Sequence, residues 1–173
     1  METRDIELML MRTWPAIEER TYDGWVLRFS KGYTKRSNCI NPLYESYFDL
    51  EEKFEYCRKI YKEKRLPIIY KLIDTKVSLM VDEFLEKKGL KKQDMVTVKE
   101  IDLTDVDYNL KSISINWGFS KEWYDFYTAE NNLNTEEKDI LKKLLEKNDK
   151  NNVYVYKSIN NEIIAVAMGS VEK

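Results

Sequence analysis

Apolar and polar positions alternate with a period of two in several stretches of this chain. Over residues 24–30, Trp25, Leu27 and Phe29 fall on one face and Val26, Arg28 and Ser30 on the other, which predicts a strand. Gly32-Tyr33-Thr34 then marks a turn, and residues 37–43 predict a return strand ending near Pro42. Residues 67–73 are apolar on both faces, the pattern of a strand central in a sheet. Residues 95–103 alternate again, with Val96 and Val98 sharing a face. Near the end, 152–158 and 162–171 flank Asn160-Asn161, two residues that tolerate positive φ, and predict a hairpin.

Between these stretches the apolar period lengthens to that of a helix. Residues 7–19 predict a short helix and a connector around Trp14-Pro15. Asp49 opens the clearest helix: its carboxylate caps the first turn, and Glu52 three residues on completes a box-like cap. Leu50, Phe54, Cys57 and Tyr61 follow at helical spacing, with Ile60 widening the stripe. Residues 76–88 carry Val77, Met80, Val81, Phe84 and Leu85, and Gly89 closes that helix as a C′ glycine. Ser120 caps a short helix bearing Trp123, Phe126 and Tyr127; Asn134 or Thr135 caps another with Ile140, Leu141, Leu144 and Leu145. The mixture of strands and helices gives an α/β (α+β) fold class. A length of 173 residues suits one domain or two small ones sharing an interface, with a candidate boundary near 104–112.

Composition removes several classes of function. Lys and Arg number 29 against 31 Asp and Glu, with the signs interspersed, so the chain lacks the basic stripe that a nucleic-acid groove needs. Lys87-Lys88 and Lys91-Lys92 sit near acidic residues and read as solvated helix ends. The absence of histidine excludes Ser-His-Asp and Cys-His catalysis and any His-ligated metal. Cys39 and Cys57 are too far apart for a metal-type pair, and Cys57 lies on an apolar stripe as a buried, inert thiol. Glu2, Arg4, Asp5 and Glu7 argue against a signal peptide, and no run of about 20 apolar residues crosses a bilayer. A cytoplasmic chain without membrane or nucleic-acid partner is expected. The twelve Tyr, four Trp and six Phe are expected to be mostly core.

No glycine-rich phosphate loop occurs, and no pair of carboxylates stands at a spacing that forces it into one site. The segment Trp14-Pro15, Tyr22-Asp23-Gly24-Trp25-Val26-Leu27-Arg28 and Gly32-Tyr33-Thr34-Lys35-Arg36-Ser37-Asn38 nevertheless resembles the opening of a bacterial group of GNAT-superfamily N-acetyltransferases. Gly24, Trp25, Leu27, Arg28, Gly32, Tyr33, Thr34, Arg36 and Asn38 fit; Cys39 stands where a small polar residue is expected. Phe84-Leu85-Glu86-Lys87-Lys88-Gly89-Leu90 is similar to the phrase that ends the second helix of the back half of such a domain. The resemblance implies a mixed, mostly antiparallel sheet flanked by helices. Residues 1–103 would form a degenerate GNAT-like half and 104–173 the front half of a GNAT-like domain, on separate sheets or one shared sheet. It also implies acetyl transfer from acetyl-CoA to a small-molecule or peptide amine.

Two departures follow from the same resemblance. GNAT enzymes hold the cofactor pyrophosphate on backbone N–H groups of a glycine-containing loop that enters a helix. Here residues 41–48 have no glycine, and Glu45 would repel phosphate. The second half reaches Lys173 before the loop would begin, so a truncated or N-terminal part of the enzyme is expected, with doubtful cofactor binding of its own. Arg28, Tyr33, Arg36 and Asn38 cluster in the best-matched segment as candidate substrate-binding residues, lining either a ligand cleft or an interface between halves. The plainer reading has Arg28 paired with a nearby carboxylate and Tyr33 packed in a turn. Tyr124 and Tyr127 are weak candidates for a proton donor, since an aromatic on a helix stripe is usually core, as Trp123 is. Glu162 and Glu172 flank the last strand, where GNAT enzymes sometimes place a base. The second hypothesis is a non-catalytic pseudo-GNAT module that binds a ligand, or self-associates through an open sheet edge near Val171.

Overall fold

The computed structural model describes residues 1–104 and 112–171. Helix α1 spans Thr3–Thr13 and leads into strands β1, Glu18–Tyr22, and β2, Trp25–Phe29. Both residues of the connecting turn, Asp23 and Gly24, have positive φ, 40° and 79°. That is the hand of turn that matches the twist of a tight hairpin, so the residues before it are drawn into a ladder with β2. The expected helix over 7–19 is therefore corrected: it lies earlier, and Glu18-Glu19 begin a strand that pairs Glu18 with Phe29 and Tyr22 with Trp25. A 3-10 turn at Lys35–Ser37 precedes β3, Ile40–Pro42, which adds antiparallel to the far side of β2. Sheet order is β1-β2-β3, and every residue of β2 is buried.

Helix α2, Leu50–Glu63, starts at Asp49, whose carboxylate accepts from the Glu51 N–H at 2.8 Å. Helix α3, Lys76–Lys87, starts at Thr75 and closes at Gly89. Their apolar stripes meet the sheet in one cluster: Trp25, Leu27, Phe29 and Ile40 against Phe54, Cys57, Ile60, Tyr61, Val81 and Leu85. Residues 67–73 lie beside β3 but form no regular strand. β3 is only three residues long, and a single parallel bridge joins Ile40 to Tyr70, with Ile40 donating to the Ile69 carbonyl at 2.8 Å and Lys71 to that of Ile40 at 2.9 Å. Lys71 also pairs at 2.6 Å with the buried Glu7, tying α1 to this segment. Residues 95–103 depart further from expectation. They pair with no strand among the described residues, and Met95, Val96, Val98, Ile101 and Leu103 are exposed. Alternation alone makes no strand where no ladder lies alongside.

The second unit carries β4, Ile113–Trp117, helices α4, Lys121–Glu130, and α5, Thr135–Lys147, then β5, Asn152–Ile159, and β6, Glu162–Ser170. Ser120 caps α4, and Asn134 caps α5 in a reciprocal box with Glu137. Asn160 and Asn161 make the β5–β6 turn with φ of 51° and 65°. The sheet order is β4-β5-β6, all antiparallel, and no strand of this sheet pairs with the first one among the described residues. The mixed α/β class holds, with two three-stranded antiparallel sheets. Among the described residues, no helix is long and apolar enough to cross a membrane.

Candidate functional site

Of the four residues drawn from the best-matched segment, only Tyr33 lies in the cluster shared with the second unit, while Arg28 and Asn38 bond within the first. Arg28 leaves β2 with its side chain 2% exposed. Its guanidinium donates to the carbonyls of Trp14 at 2.7 Å, Met11 at 3.0 Å and Arg36 at 2.7 Å, and to the Glu19 carboxylate at 2.9 Å. Two of those carbonyls, Met11 and Trp14, belong to the end of α1, where no helical N–H remains to satisfy them. Arg28 thus closes that helix end and anchors the connector after it.

Asn38 is equally committed. Its Oδ1 accepts from Ser30 at 2.7 Å and Gly32 at 2.9 Å, while its Nδ2 donates to the carbonyls of Tyr33 and Thr34, each at 2.9 Å. An amide side chain has two donors and about two acceptor directions, so the capacity of Asn38 is spent on shaping the 30–38 loop. That loop points Tyr33 outward from the first unit and into the second. Tyr33 is 7% exposed within a cluster that joins it and Trp14 to Trp123, Ile140, Leu141, Leu144, Leu145 and Tyr154. Burial first, and then the neighbouring Tyr127 hydroxyl, push the Tyr33 phenol well above its usual range. Arg36 remains exposed, its guanidinium 5.2 Å from the Trp14 ring centroid. Arg28 pairs with the Glu19 carboxylate and Asn38 bonds within its own loop, both inside the first unit; Tyr33 enters the interface between the units, and Arg36 borders Trp14 of that cluster.

The second unit's aromatic residues serve the same seam. Trp123 stacks on Tyr127 at 4.7 Å and meets Tyr154 edge-on at 5.3 Å, while the Tyr124 hydroxyl donates to the Lys138 carbonyl at 2.9 Å. Lys147, in the last turn of α5, donates to the carbonyls of Ala16 and Ile17, both at 2.6 Å. Glu162 is exposed at the hairpin end of β6, and Glu172 lies outside the described residues. Cys39 and Cys57 are buried, and burial pushes their thiols up to about 11 and about 12, which removes them as nucleophiles at neutral pH. Among the described residues, no group of three or more Cys, Asp or Glu is placed to hold a metal ion.

In the loop before α2 the backbone donors are turned inward. The Tyr47 and Phe48 N–H groups, free at the approach to the helix, both point at the carboxylate of Asp23, at 3.0 and 2.9 Å. Lys53, one turn into α2, donates to the Asp23 carbonyl and lies 3.2 Å from its Oδ2. The ammonium also sits 4.2 Å from the Trp25 ring centroid. Gly24 allows this approach. A Cβ there would come within 2.7 Å of the Tyr44 carbonyl oxygen and closer still to that of Glu45. These backbone donors are thus turned to an internal carboxylate. The sequence reading missed the Asp23–Lys53 pair. Its one visible signal was the Asp23-Gly24 dipeptide of a tight hairpin.

Fold and site define a mixed α/β protein in which two antiparallel sheets, each backed by a helix pair, are joined by a buried aromatic seam. Residues 1–171 match the family described as the C-terminal region of the probable histone acetyltransferase Rv0428c, and the chain belongs to that family. The family name points to an acetyltransferase class. No curated protein and no solved structure gives a significant match.

Proposed function

We propose that this chain belongs to GNAT-type N-acetyltransferases and serves transfer of the acetyl group of acetyl-CoA to a small-molecule or peptide amine. In such a transfer the amine nitrogen gains the acetyl carbon, the thioester C–S bond breaks, and the amine proton leaves as free thiol forms. The observation that carries this reading is the family match over residues 1–171, joined to the element order β4-α4-α5-β5-β6 of the second unit. That order follows the front half of a GNAT-like domain. Residues 1–104 then act as a non-catalytic half that holds the second unit through Trp14, Tyr33 and Lys147. Arg36, exposed at the edge of the seam, is the one member of the predicted site left to meet a ligand. A cytoplasmic location without a nucleic-acid partner fits the balanced, interspersed charge.

One observation favours a second reading, a pseudo-enzyme that binds without catalysing. The Tyr47 and Phe48 donors are already engaged by Asp23. Calorimetric titration of the full chain with acetyl-CoA separates the two, followed by an acetyl-transfer assay on lysine-rich histone-tail peptides and small polyamines. Saturable binding with acetylated product supports the enzyme. Binding without product, or no binding to a cooperatively folded chain, supports the module and removes catalysis by this chain.

A further inference from the structure

We infer that Tyr33 is an internal ligand of the second unit, a strained plug seated in a ring-binding pocket between α4, α5 and β5 that a phenol can enter in its place. The inference concerns a binding site and stands apart from whether the chain transfers acetyl groups. Tyr33 belongs to neither of the clusters that form the core of the first unit. Its ring is buried instead with Trp123, Leu141, Leu144 and Tyr154 of the second unit, and its hydroxyl meets that of Tyr127. The same cluster holds an unused donor: Trp123 is 3% exposed, and its Nε1 has no acceptor. A buried donor without an acceptor is costly, and a ring that carries an oxygen can satisfy it. Apolar walls, one hydroxyl and one free indole N–H are the chemistry of a site for a hydroxylated aromatic ring.

The loop that delivers Tyr33 is held in a conformation its sequence disfavours. Lys31, Gly32 and Thr34 flank the ring with φ of 51°, 87° and 58°. Glycine bears this without strain. Thr34 does not: it is β-branched, and its ψ of 137° puts it outside the left-handed helical region as well. Side chains of the first unit clamp the loop against that strain. Trp14 Nε1 donates to Thr34 Oγ1 at 3.0 Å, Ser37 Oγ to the Tyr33 carbonyl at 2.6 Å, and Asn38 Nδ2 to the carbonyls of Tyr33 and Thr34. Lys31, Gly32, Lys35 and Arg36 are exposed, so the loop has room to lift and carry Tyr33 out. The ion pairs that leave it, Lys31 with Glu136 and Lys35 with Asp94, are solvent-exposed and hold it only weakly. A phenol that takes the ring's place brings no strained loop with it.

Amide hydrogen exchange of the wild-type chain, with and without p-cresol, tests this. Binding is expected to speed exchange over residues 30–38 while α4 and α5 keep their protection. Titration of Tyr33→Ala, its fold checked by circular dichroism, supplies the affinity: p-cresol should bind about tenfold or more tightly than to wild type, where it must displace Tyr33. Thr34→Ala serves where that variant does not fold, because it keeps the ring and loses only the hydroxyl that Trp14 holds. Thr34→Ala should bind p-cresol more tightly than Thr34→Gly, since glycine alone relieves the strain that favours release. N-acetyltyrosinamide in place of p-cresol separates the sources of the ring: binding of both marks a site open to a tyrosine of a peptide, binding of p-cresol alone a site for a free compound. Unchanged exchange over 30–38 at high p-cresol overturns the inference. So does equal affinity in wild type, Tyr33→Ala and Thr34→Ala, or exchange that rises across α4 and α5 together with the loop, since the compound would then be unfolding the unit.

Discussion

Lys53 Nζ lies 3.2 Å from Asp23 Oδ2, and the two side chains are 0% and 7% exposed. The pair joins the β1–β2 turn to the first turn of α2, and the Asp23 carboxylate also gathers the N–H groups of the intervening loop. A buried ammonium without its partner is costly, and a buried carboxylate stripped of its cation is nearly as costly. Lys53→Met keeps most of the side-chain volume over Trp25 and removes only the charge. It should lower the thermal midpoint by roughly 5 °C or more, and Asp23→Asn should lower it as well. The double variant should lose less than the two single losses added, because both remove one interaction. Additive losses in a thermal melt series would show that the pair is not coupled.

The same carboxylate sets an acid limit on stability. Burial pushes Asp23 up, but the N–H groups of Phe48 and Tyr47 and the Lys53 ammonium together hold it below the usual carboxylate range. A group whose folded pKa is depressed contributes stability that is fully present above its unfolded value of about 3.9, and loses it as pH falls through the folded value. Melting midpoints should therefore fall below about pH 4. Asp23→Asn should flatten part of that fall while leaving the neutral-pH slope unchanged. Glu18, lowered chiefly by its hydrogen bond to Lys64 while burial opposes, keeps part of the acid dependence in the variant. An acid limb identical in wild type and Asp23→Asn would sink this assignment.

Arg28 has a structural role that a substitution series can separate from ligand binding. Its removal strands the Met11, Trp14 and Arg36 carbonyls and frees Glu19. Arg28→Ala should cost about 3–5 kcal/mol in denaturant unfolding. Arg28→Lys should recover less than half of that, since one ammonium cannot span carbonyls that a planar fork reaches together. Arg36→Ala, on an exposed side chain, should cost under about 1 kcal/mol. Equal losses at the two arginines would contradict the division of roles described above.

What the sequence made legible follows from which interactions are local. α2 and α5 announce themselves because cap and apolar stripe lie within one segment: Asp49 before Phe54, Cys57 and Tyr61, and Asn134 with Glu137 before Leu141 and Leu145. β1 was hidden because its polar residues, Glu18 to Tyr22, lie at an exposed sheet edge and show no apolar face; only the turn after it betrays a strand. Residues 67–73 and 95–103 have strand-like patterns, yet a strand needs a neighbouring ladder, and no local pattern states whether one exists. The four candidate residues were found as a group, but their partners are backbone carbonyls and aromatic rings brought close by folding. Tyr33 meets Trp123 and Leu141 only when both units are assembled. Lys53 and Asp23 lie thirty residues apart, and no motif links them.

That assembly should make the chain unfold as a single cooperative unit despite its two sheets. Trp14 and Tyr33 are buried in a cluster otherwise built from α4, α5 and β5, and Lys147 reaches back to the Ala16 and Ile17 carbonyls. The second sheet therefore lacks part of its core without the first unit. Wild-type unfolding should show coincident tryptophan-fluorescence and far-ultraviolet dichroism transitions, as one cooperative step requires. Tyr33→Ala removes a large buried ring from the seam and should cost about 3 kcal/mol. It should also split the transitions, the α4–α5 unit melting first because its cluster has lost that wall while the Trp25–Phe54 core remains whole. Tyr33→Phe keeps the ring and loses only the hydroxyl facing Tyr127, so it should cost about 1 kcal/mol with the single transition preserved. Non-coincident transitions already in the wild type would mean that the two units fold independently and that the seam is a docking contact rather than a shared core.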